Sequence, residues 1–400
     1  MGMPATQQDQ RADRFRPFGT TIFSEMTALA QKHKAVNLGQ GFPDFDGPAP
    51  GKDAAREALA HGWNQYAPLP GMPALREQIA RWSSDMNGLD ADPETEITVT
   101  TGCTEAIAAT LMGLVNPGDE VVLFEPFYDS YRACVAMSGA TPRTVTIRPD
   151  ADGDGFTFDP DELRGVFNAR TRLVLVNTPH NPTGMVFSRD QCTLIADLCR
   201  EHDALVLSDE VYERLTYDGR EHVSIATLPG MRQRTVVASS MGKTFSLTGW
   251  KVGWAIAPPE LTRGVRAAHQ YLTFAVPGPL QMGAAALLEH ERDSVDQLRG
   301  HYERTRATLG DALGELGFGV RVPHGAYFIM AEHARVSERV GVSGDVALCK
   351  WLVEHAGVVA VPPSAFYEHP ERGAPFVRFA FCKTTATIER AIERLKGALA

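Results

Sequence analysis

Several protein classes are excluded by what this chain lacks. Its six cysteines (Cys103, Cys134, Cys192, Cys199, Cys349 and Cys382) form no CxxC pair and are not grouped with the twelve scattered histidines. No zinc-finger or disulfide framework is therefore expected, no metal site is expected, and the thiols read as buried groups in a reducing compartment. Positive charge is also in short supply, with 39 Lys and Arg against 49 Asp and Glu and a formal net charge of -10. That balance gives no electrostatic footprint for nucleic acid, although a local cluster of cations can still hold an anionic substrate. No apolar run approaches the roughly 18 residues of a membrane span, and the opening residues lack the apolar centre of a signal peptide. The expectation is a cytoplasmic protein with no membrane partner. There is no internal repeat, and no low-complexity block beyond the polar first dozen residues, which read as a loose arm. What is present is a chain of 400 residues at 44% hydrophobic content, ample for a packed core and about two or three domains.

The middle of the chain alternates β-rich runs with helix-period segments. Strands are expected at 96–101, 120–124, 143–147, 172–177, 204–208, 235–239 and 252–257, and helices at 104–115, 128–138 and 189–202. The runs from Leu173 to Val176 and from Leu205 to Leu207 are continuously apolar, as strands covered on both faces are. The fold class is thus α/β, with a mainly parallel central sheet and helices on both faces. Beyond about Gln281 the pattern becomes one long amphipathic helix to Gly314. Short strands then follow near 325–330, 358–361 and 377–381, with a last helix from Thr387, which describes a smaller α+β domain. The expected division is 1–45 as an N-terminal arm and small-domain segment, 46–285 as the large domain and 286–400 as the C-terminal small domain.

Chemistry concentrates at the ends of the expected strands, where open α/β sheets bind their ligands. Between the runs at 235–239 and 252–257, Lys243 sits among small and apolar residues, with Ser239 and Ser240 before it and Lys251 eight residues after it. A lysine in water has a pKa of about 10.4. Desolvation and a neighbouring cation both disfavour the ammonium, so Lys243 is a candidate nucleophilic amine. Thr100 to Ala106 runs from a strand through Gly102, Cys103 and Thr104 into a helix, whose unpaired N–H groups and Thr104 hydroxyl make a phosphate cradle; any N-capped helix looks similar. Asn177 to Gly184, with Asn181 at its centre, is a rigid polar loop able to hydrogen-bond a ring oxygen, or a plain turn. In Ser208 to Tyr212, a buried Asp209 needs a cationic partner such as a protonated ring nitrogen, or merely caps a helix. Arg378, flanked by Val377 and Phe379, can grip a carboxylate in a bidentate clamp or form an internal ion pair. Jointly these segments specify an aromatic aldehyde that carries a phosphate, a ring nitrogen and a ring hydroxyl, namely pyridoxal 5'-phosphate.

From about Phe18 onward the chain resembles the class I aminotransferases of fold type I, in the branch of kynurenine, glutamine, methionine and succinyldiaminopimelate transaminases. The resemblance is carried in order by Asn37 to Phe45 (NLGQGFPDF), Asn64-Gln65-Tyr66, Glu125 to Asp129 (EPFYD), Asn181 to Gly184 (NPTG), Ser208 to Glu213 (SDEVYE) and Gly242 to Trp254 (GKTFSLTGWKVGW). It implies that Lys243 binds the cofactor covalently and shuttles the proton, that Asp209 keeps the ring nitrogen protonated, and that Asn181 and Tyr212 meet the ring oxygen. Tyr128 would stack on the ring. Cys103 and Thr104, with Gly102 before them, together with Ser240 and Lys251, would hold the phosphate, and Tyr66 would reach the phosphate of a neighbouring subunit. Arg378 would clamp the substrate carboxylate with the Gly41 backbone near it. A homodimer with shared active sites is implied, acting on an amino acid and a 2-oxo acid such as 2-oxoglutarate.

Two features depart from the aspartate-specific pattern. Position 251 is lysine where aspartate aminotransferases carry arginine, and no arginine stands near 271–276 for a second substrate carboxylate. With Phe23, Tyr66 and Phe274 available, donors with apolar, aromatic or long side chains are expected, N-succinyl-diaminopimelate among them. Ala275 occupies a position where some kynurenine transaminases have histidine, which argues against a narrow kynurenine specificity. The same site could also run β-elimination on cysteine S-conjugates or act as a kynurenine-oxoglutarate transaminase. A non-catalytic DNA-bound sensor is disfavoured by the absence of a basic recognition helix in the first 40 residues or so. His180 is expected to be structural, and Trp250 and Trp254 to serve packing.

Overall fold

Uninterrupted apolar runs become strands covered on both faces. In the computed structural model, which describes residues 9–19, 22–151 and 155–399 without the Phe23 side chain, Glu120–Glu125, Leu205–Asp209 and Thr235–Ser240 are buried at every position. Most of the loose arm and the pocket role expected of Phe23 lie outside the described residues. An eight-stranded sheet runs in the spatial order Ile97–Thr101, Val252–Ile256, Thr235–Ser240, Leu205–Asp209, Thr171–Asn177, Glu120–Glu125, Thr141–Pro149, Phe156–Phe158. The five strands from Thr235–Ser240 to Thr141–Pro149 pair in parallel, whereas Val252–Ile256 is antiparallel to both neighbours and Phe156–Phe158 is antiparallel at the far edge. Leu123, Leu175 and Leu207 belong to one core cluster with Ala106, Ile107 and Leu111 of helix Gly102–Leu114. Each such fully buried side chain contributes about 1.5–3 kcal/mol.

This topology decides which residues meet. Asn177 pairs with Asp209 and Asp209 with Ala238, so the parallel strands end together at one edge. Because Val252–Ile256 runs the other way, its beginning rather than its end arrives there, with Ser240 opposite Gly253 and Thr101 opposite Val252. Lys251 is delivered to the same edge as Lys243 by that reversal.

The seven expected strands all form, with ends shifted by two residues or fewer. Phe156–Phe158 was not anticipated, being only 3 residues long. The expected helix from Gln281 to Gly314 is instead two, Gly278–His290 and Arg292–Glu315. Glu291, at φ -111° and ψ 31°, is non-helical and lets the first helix pack on Ala49–Ala60 while the second turns away. Gly319–Arg321, Phe328–Glu332 and Phe376–Ala380 make a three-stranded antiparallel sheet, and Thr385–Leu399 is the last helix. Val36–Asn37 pairs in parallel with Val358–Val359, tying the N-terminal segment to the C-terminal part of the chain.

Arg306, on the long helix, grips both oxygens of Asp218 at 2.7 Å and lies 4.7 Å over the Tyr217 ring. The hydrogen bonds from Arg306 hold the Asp218 carboxyl down at about 2. Its folded value is below the unfolded one, so the stabilisation is complete above about pH 4 and lost as pH falls through the folded value. Asp218→Asn should lower stability by about 1 kcal/mol at pH 7, the exposure of the carboxylate keeping the effect small. In urea titrations the difference from wild type should shrink as pH falls from 5 toward 3; a constant difference would rule out the pair as its cause.

Candidate active site

At the carboxyl edge of the large sheet lies a cavity of about 290 Å³. Gly41, Gly102, Cys103, Thr104, Tyr128, Asn181, Asp209, Tyr212, Ser240, Lys243, Lys251 and Arg378 all line it. Among the described residues that were anticipated, Tyr66 and Phe274 do not line it: they stand 88% and 41% exposed, because their rings pack edge-on against each other outside the cavity.

Asp209 forms the floor. Its carboxylate accepts from the Tyr131 hydroxyl at 2.5 Å, the Val211 amide at 3.2 Å and the Cys103 thiol at 3.5 Å. Burial raises its pKa, and those neutral donors and the nearby Lys243 only partly oppose the rise. A carboxylate so placed calls for a cation above it.

Lys243 follows Ser240 in the short helix Met241–Thr244 and is half-buried, facing the cavity. Its Nζ lies 3.5 Å from the Gly41 carbonyl and 5.9 and 5.6 Å from the ring centres of Tyr212 and Tyr327. Burial lowers its pKa and Lys251 pushes the same way, against Cys382 and Asp209. The amine is therefore closer to its free-base form than an ordinary lysine.

Opposite, helix Gly102–Leu114 opens directly from its strand and presents its first amides to the cavity. Gly102 has φ 69°, and a Cβ on Gly253 would lie 2.5 Å from the Cys103 nitrogen, so glycine there lets the helix start rest on the neighbouring strand. The Lys251 Nζ is 3.5 Å from the Thr104 hydroxyl. Amides, hydroxyl and ammonium together are a donor set for a phosphate.

The far wall joins the two ends of the chain. Arg378 donates to the Asn181 Oδ1 at 3.2 Å and to the Gly39 carbonyl at 2.8 Å, and its guanidinium lies 4.2 Å over the Phe328 ring. Burial pulls it down to about 10, with Tyr212 and Tyr327 opposing, and it stays charged at neutral pH. Asn177 explains the position of Asn181. It accepts from the Asn181 amide at 2.8 Å and donates to the Asp209 carbonyl at 3.0 Å, tying the loop to the strand end. His180 bears out a structural reading: its Nδ1 lies 2.8 Å from the Thr183 hydroxyl, and burial holds its pKa down near 3.

Three neighbours were not anticipated. Tyr131 lies in helix Asp129–Ser138, while Tyr128 is the extended residue just before it, and the two rings meet edge-on at 5.7 Å. Tyr327 and Phe328 come from the C-terminal part of the chain, and no local pattern announces them.

A second buried group, Glu210, Glu213 and His222, brings ligand atoms within 4.8 Å of one another. Glu210 already accepts from Ser208, Ser224 and His222, and Glu213 from Trp82 and Asn87. With those donors in place it is a hydrogen-bond network rather than a cation site.

Residues 33–395 match the family model for aminotransferase class I and II. The chain is 46% identical over 391 residues to a probable N-succinyldiaminopimelate aminotransferase of Mycobacterium tuberculosis, covering 96% of this chain and 97% of that one. It is 40% identical over 378 residues to the methionine aminotransferase of Escherichia coli, with 94% and 96% covered. The solved N-succinyldiaminopimelate aminotransferase structure from M. tuberculosis superposes with a TM-score of 0.93 at 46% identity, over 98% of this chain and 100% of that chain. The chain belongs to the class I and II aminotransferases, as a fold type I transaminase that depends on pyridoxal phosphate.

Proposed function

We propose that the cavity is the transamination site, with Lys243 as its covalent anchor and proton carrier, and that it takes amino donors with apolar, aromatic or long side chains. The observation that carries this reading is the convergence of Lys243, Asp209, Asn181 and Arg378, from four separate segments, on one cavity. The residues fit pyridoxal phosphate: the floor is a buried carboxylate lacking a cation, the rim is a phosphate donor set, and an amine stands between them. When bound, that cofactor supplies an electron sink for the electrons released at the substrate Cα.

The protein groups have distinct tasks. Arg378 holds the substrate carboxylate in a fork, which orients the Cα–H bond toward Lys243. The Lys243 amine, freed by burial from its ordinary protonation, takes that proton and returns it one position away. Asp209 would hold a proton on the cofactor's ring nitrogen, and Asn181 and Tyr212 would donate to its ring oxygen. Tyr128 would cover the face of the cofactor ring; burial raises its phenol to about 12, so it stays neutral. Cys103, Thr104, Ser240 and Lys251 would hold the phosphate.

The lining of the cavity includes three cations, Lys243, Lys251 and Arg378. The first two have tasks already, so none remains for a second carboxylate close to the first, while Phe42, Ile107 and Phe328 supply apolar wall. This supports donors other than aspartate, and the names of the relatives keep N-succinyl-diaminopimelate, methionine and kynurenine among the candidates. A panel of donors with 2-oxoglutarate, read as glutamate formed, tests the reading. Aspartate as best donor would overturn it, and pyruvate with ammonia formed from cysteine S-conjugates without an acceptor would reveal β-elimination.

Arg378→Lys keeps the charge but loses the fork. KM should rise on the order of 10²-fold for donor and acceptor alike, about 2–3 kcal/mol, with a smaller change in kcat. A change confined to one of the two substrates would remove Arg378 from the carboxylate role.

A homodimer belongs to the same proposal. Tyr66 contacts Phe274 edge-on at 5.5 Å, and both stand exposed beside Tyr271, an aromatic patch outside the cavity that suits a second subunit. The free, buried cysteines support a reducing compartment such as the cytoplasm. The division into an N-terminal segment 1–45, a large cofactor-binding domain 46–285 and a C-terminal small domain 286–400 is also proposed.

A further inference from the structure

One buried cation has no task in this scheme. Lys383 is 2% exposed, and among the described residues no carboxylate forms an ion pair with it. Its Nζ donates to the Phe42 carbonyl at 2.5 Å and the Gln40 carbonyl at 3.2 Å, and lies 4.6 Å from the centre of the Phe42 ring. Three donors on an ammonium thus meet two carbonyls and one π face. The Asp44 carboxylate favours the charge from beyond ion-pair distance, but burial still lowers the proton affinity of the amine, so the carbonyls it grips must supply the rest.

The gripped segment is a wall of the cavity. Gln40, Gly41 and Phe42 all line it. Four consecutive carbonyls are held: Gly39 by Arg378, Gln40 and Phe42 by Lys383, and Gly41 by the Tyr327 hydroxyl at 2.6 Å. The Gly39 and Gln40 amides both donate to the Asn37 side chain at 3.0 Å. A Cβ on Gly41 would lie 2.5 Å from the Phe328 ring, so the segment is pressed against the opposite wall. Of the three, Phe42 alone keeps substantial exposure, 43%; it lines the cavity with the Lys383 ammonium against its ring.

We propose that Lys383 is a positioning residue for donor selection: it holds Gln40–Gly41–Phe42 in place so that the Phe42 ring forms a fixed apolar surface against the side chain of the incoming amino acid. Lys383 follows strand Phe376–Ala380, which carries Arg378. One short stretch of chain, from Arg378 to Lys383, therefore supplies both the carboxylate clamp and the support of the side-chain wall. The claim rests on the reading of this cavity as the transamination site.

The test uses the holoenzyme with phenylalanine, methionine and alanine as donors, and amide hydrogen exchange on the cofactor-free protein. Lys383→Met should raise KM for phenylalanine and methionine about tenfold, change KM for alanine less than about threefold and leave kcat within about threefold, with amide exchange over residues 39–42 about tenfold faster. Lys383→Arg, which keeps the charge, should fall between Met and wild type. Phe42→Leu leaves the clamp intact and should lose the preference for phenylalanine over alanine by about fivefold without faster exchange at 39–41. Unchanged exchange in Lys383→Met, or an unchanged preference in Phe42→Leu, overturns the proposal. If Lys383→Met does not fold, Lys383→Arg and Phe42→Leu decide by the same two readouts. A wild-type enzyme that uses none of the three donors would count against the donor class, while the exchange comparison would still decide the clamp.

Discussion

Lys243→Ala is expected to leave a folded protein with turnover reduced by about 10⁴-fold or more, because the group that moves the proton is gone. The expectation rests on position as well as identity. The amine stands between the buried Asp209 floor and the Gly41 carbonyl, in surroundings that lower its proton affinity. Lys243→Arg should be about as inactive, since a guanidinium keeps its proton at any working pH. The visible absorbance of cofactor bound to lysine should disappear in both variants. A small primary amine added to Lys243→Ala should restore part of the rate, because the cavity then has room for it, and should restore none to Lys243→Arg. Retention of either turnover or the lysine-bound absorbance in Lys243→Ala would end the assignment.

Asp209→Ala should cost about 10³-fold in kcat, and Asp209→Asn nearly as much, because neither can balance a protonated ring nitrogen. Stability should move in the opposite sense. Burial raises the carboxyl pKa above its unfolded value in the cofactor-free protein. The unfolded chain therefore releases that proton first, and the folded state loses stability as pH rises from the unfolded value through the folded one. Asp209→Asn removes this penalty, so the cofactor-free variant should melt no lower than wild type at pH 7, while its affinity for the cofactor falls by about 10²-fold. Calorimetry with and without cofactor separates the two effects. A variant that melts lower without cofactor, yet binds it normally, would make Asp209 a structural residue.

Much of this was legible before any coordinates. Strand positions followed from apolar runs such as Leu173 to Val176, since a strand buried on both faces tolerates few polar side chains. The site residues could be named because Lys243, Asn181, Asp209 and Gly102 each close a short segment whose local chemistry is informative by itself. The break at Glu291 was not legible. Helical periodicity runs through it, and only packing of Gly278–His290 on Ala49–Ala60 turns one helix into two. Tyr327, Phe328 and Lys383 were likewise hidden: each lies in a stretch that reads as ordinary core, and each acquires its role by touching residues some 285 to 340 positions away.

The sequence by itself determined which groups are present and on which local elements they ride: an amine after one strand, a carboxylate at the end of another, an open helix start after a third. The tertiary structure alone decided that they meet. Parallel pairing brings the strand ends to one edge, the reversed strand carries Lys251 there by its beginning, and Val36–Asn37 pairing with Val358–Val359 closes the wall from both ends of the chain. Local pattern depends on neighbours a few residues apart. Burial, the displaced proton affinities of Lys243 and Asp209, and the grip of Lys383 depend on neighbours that only long-range packing supplies.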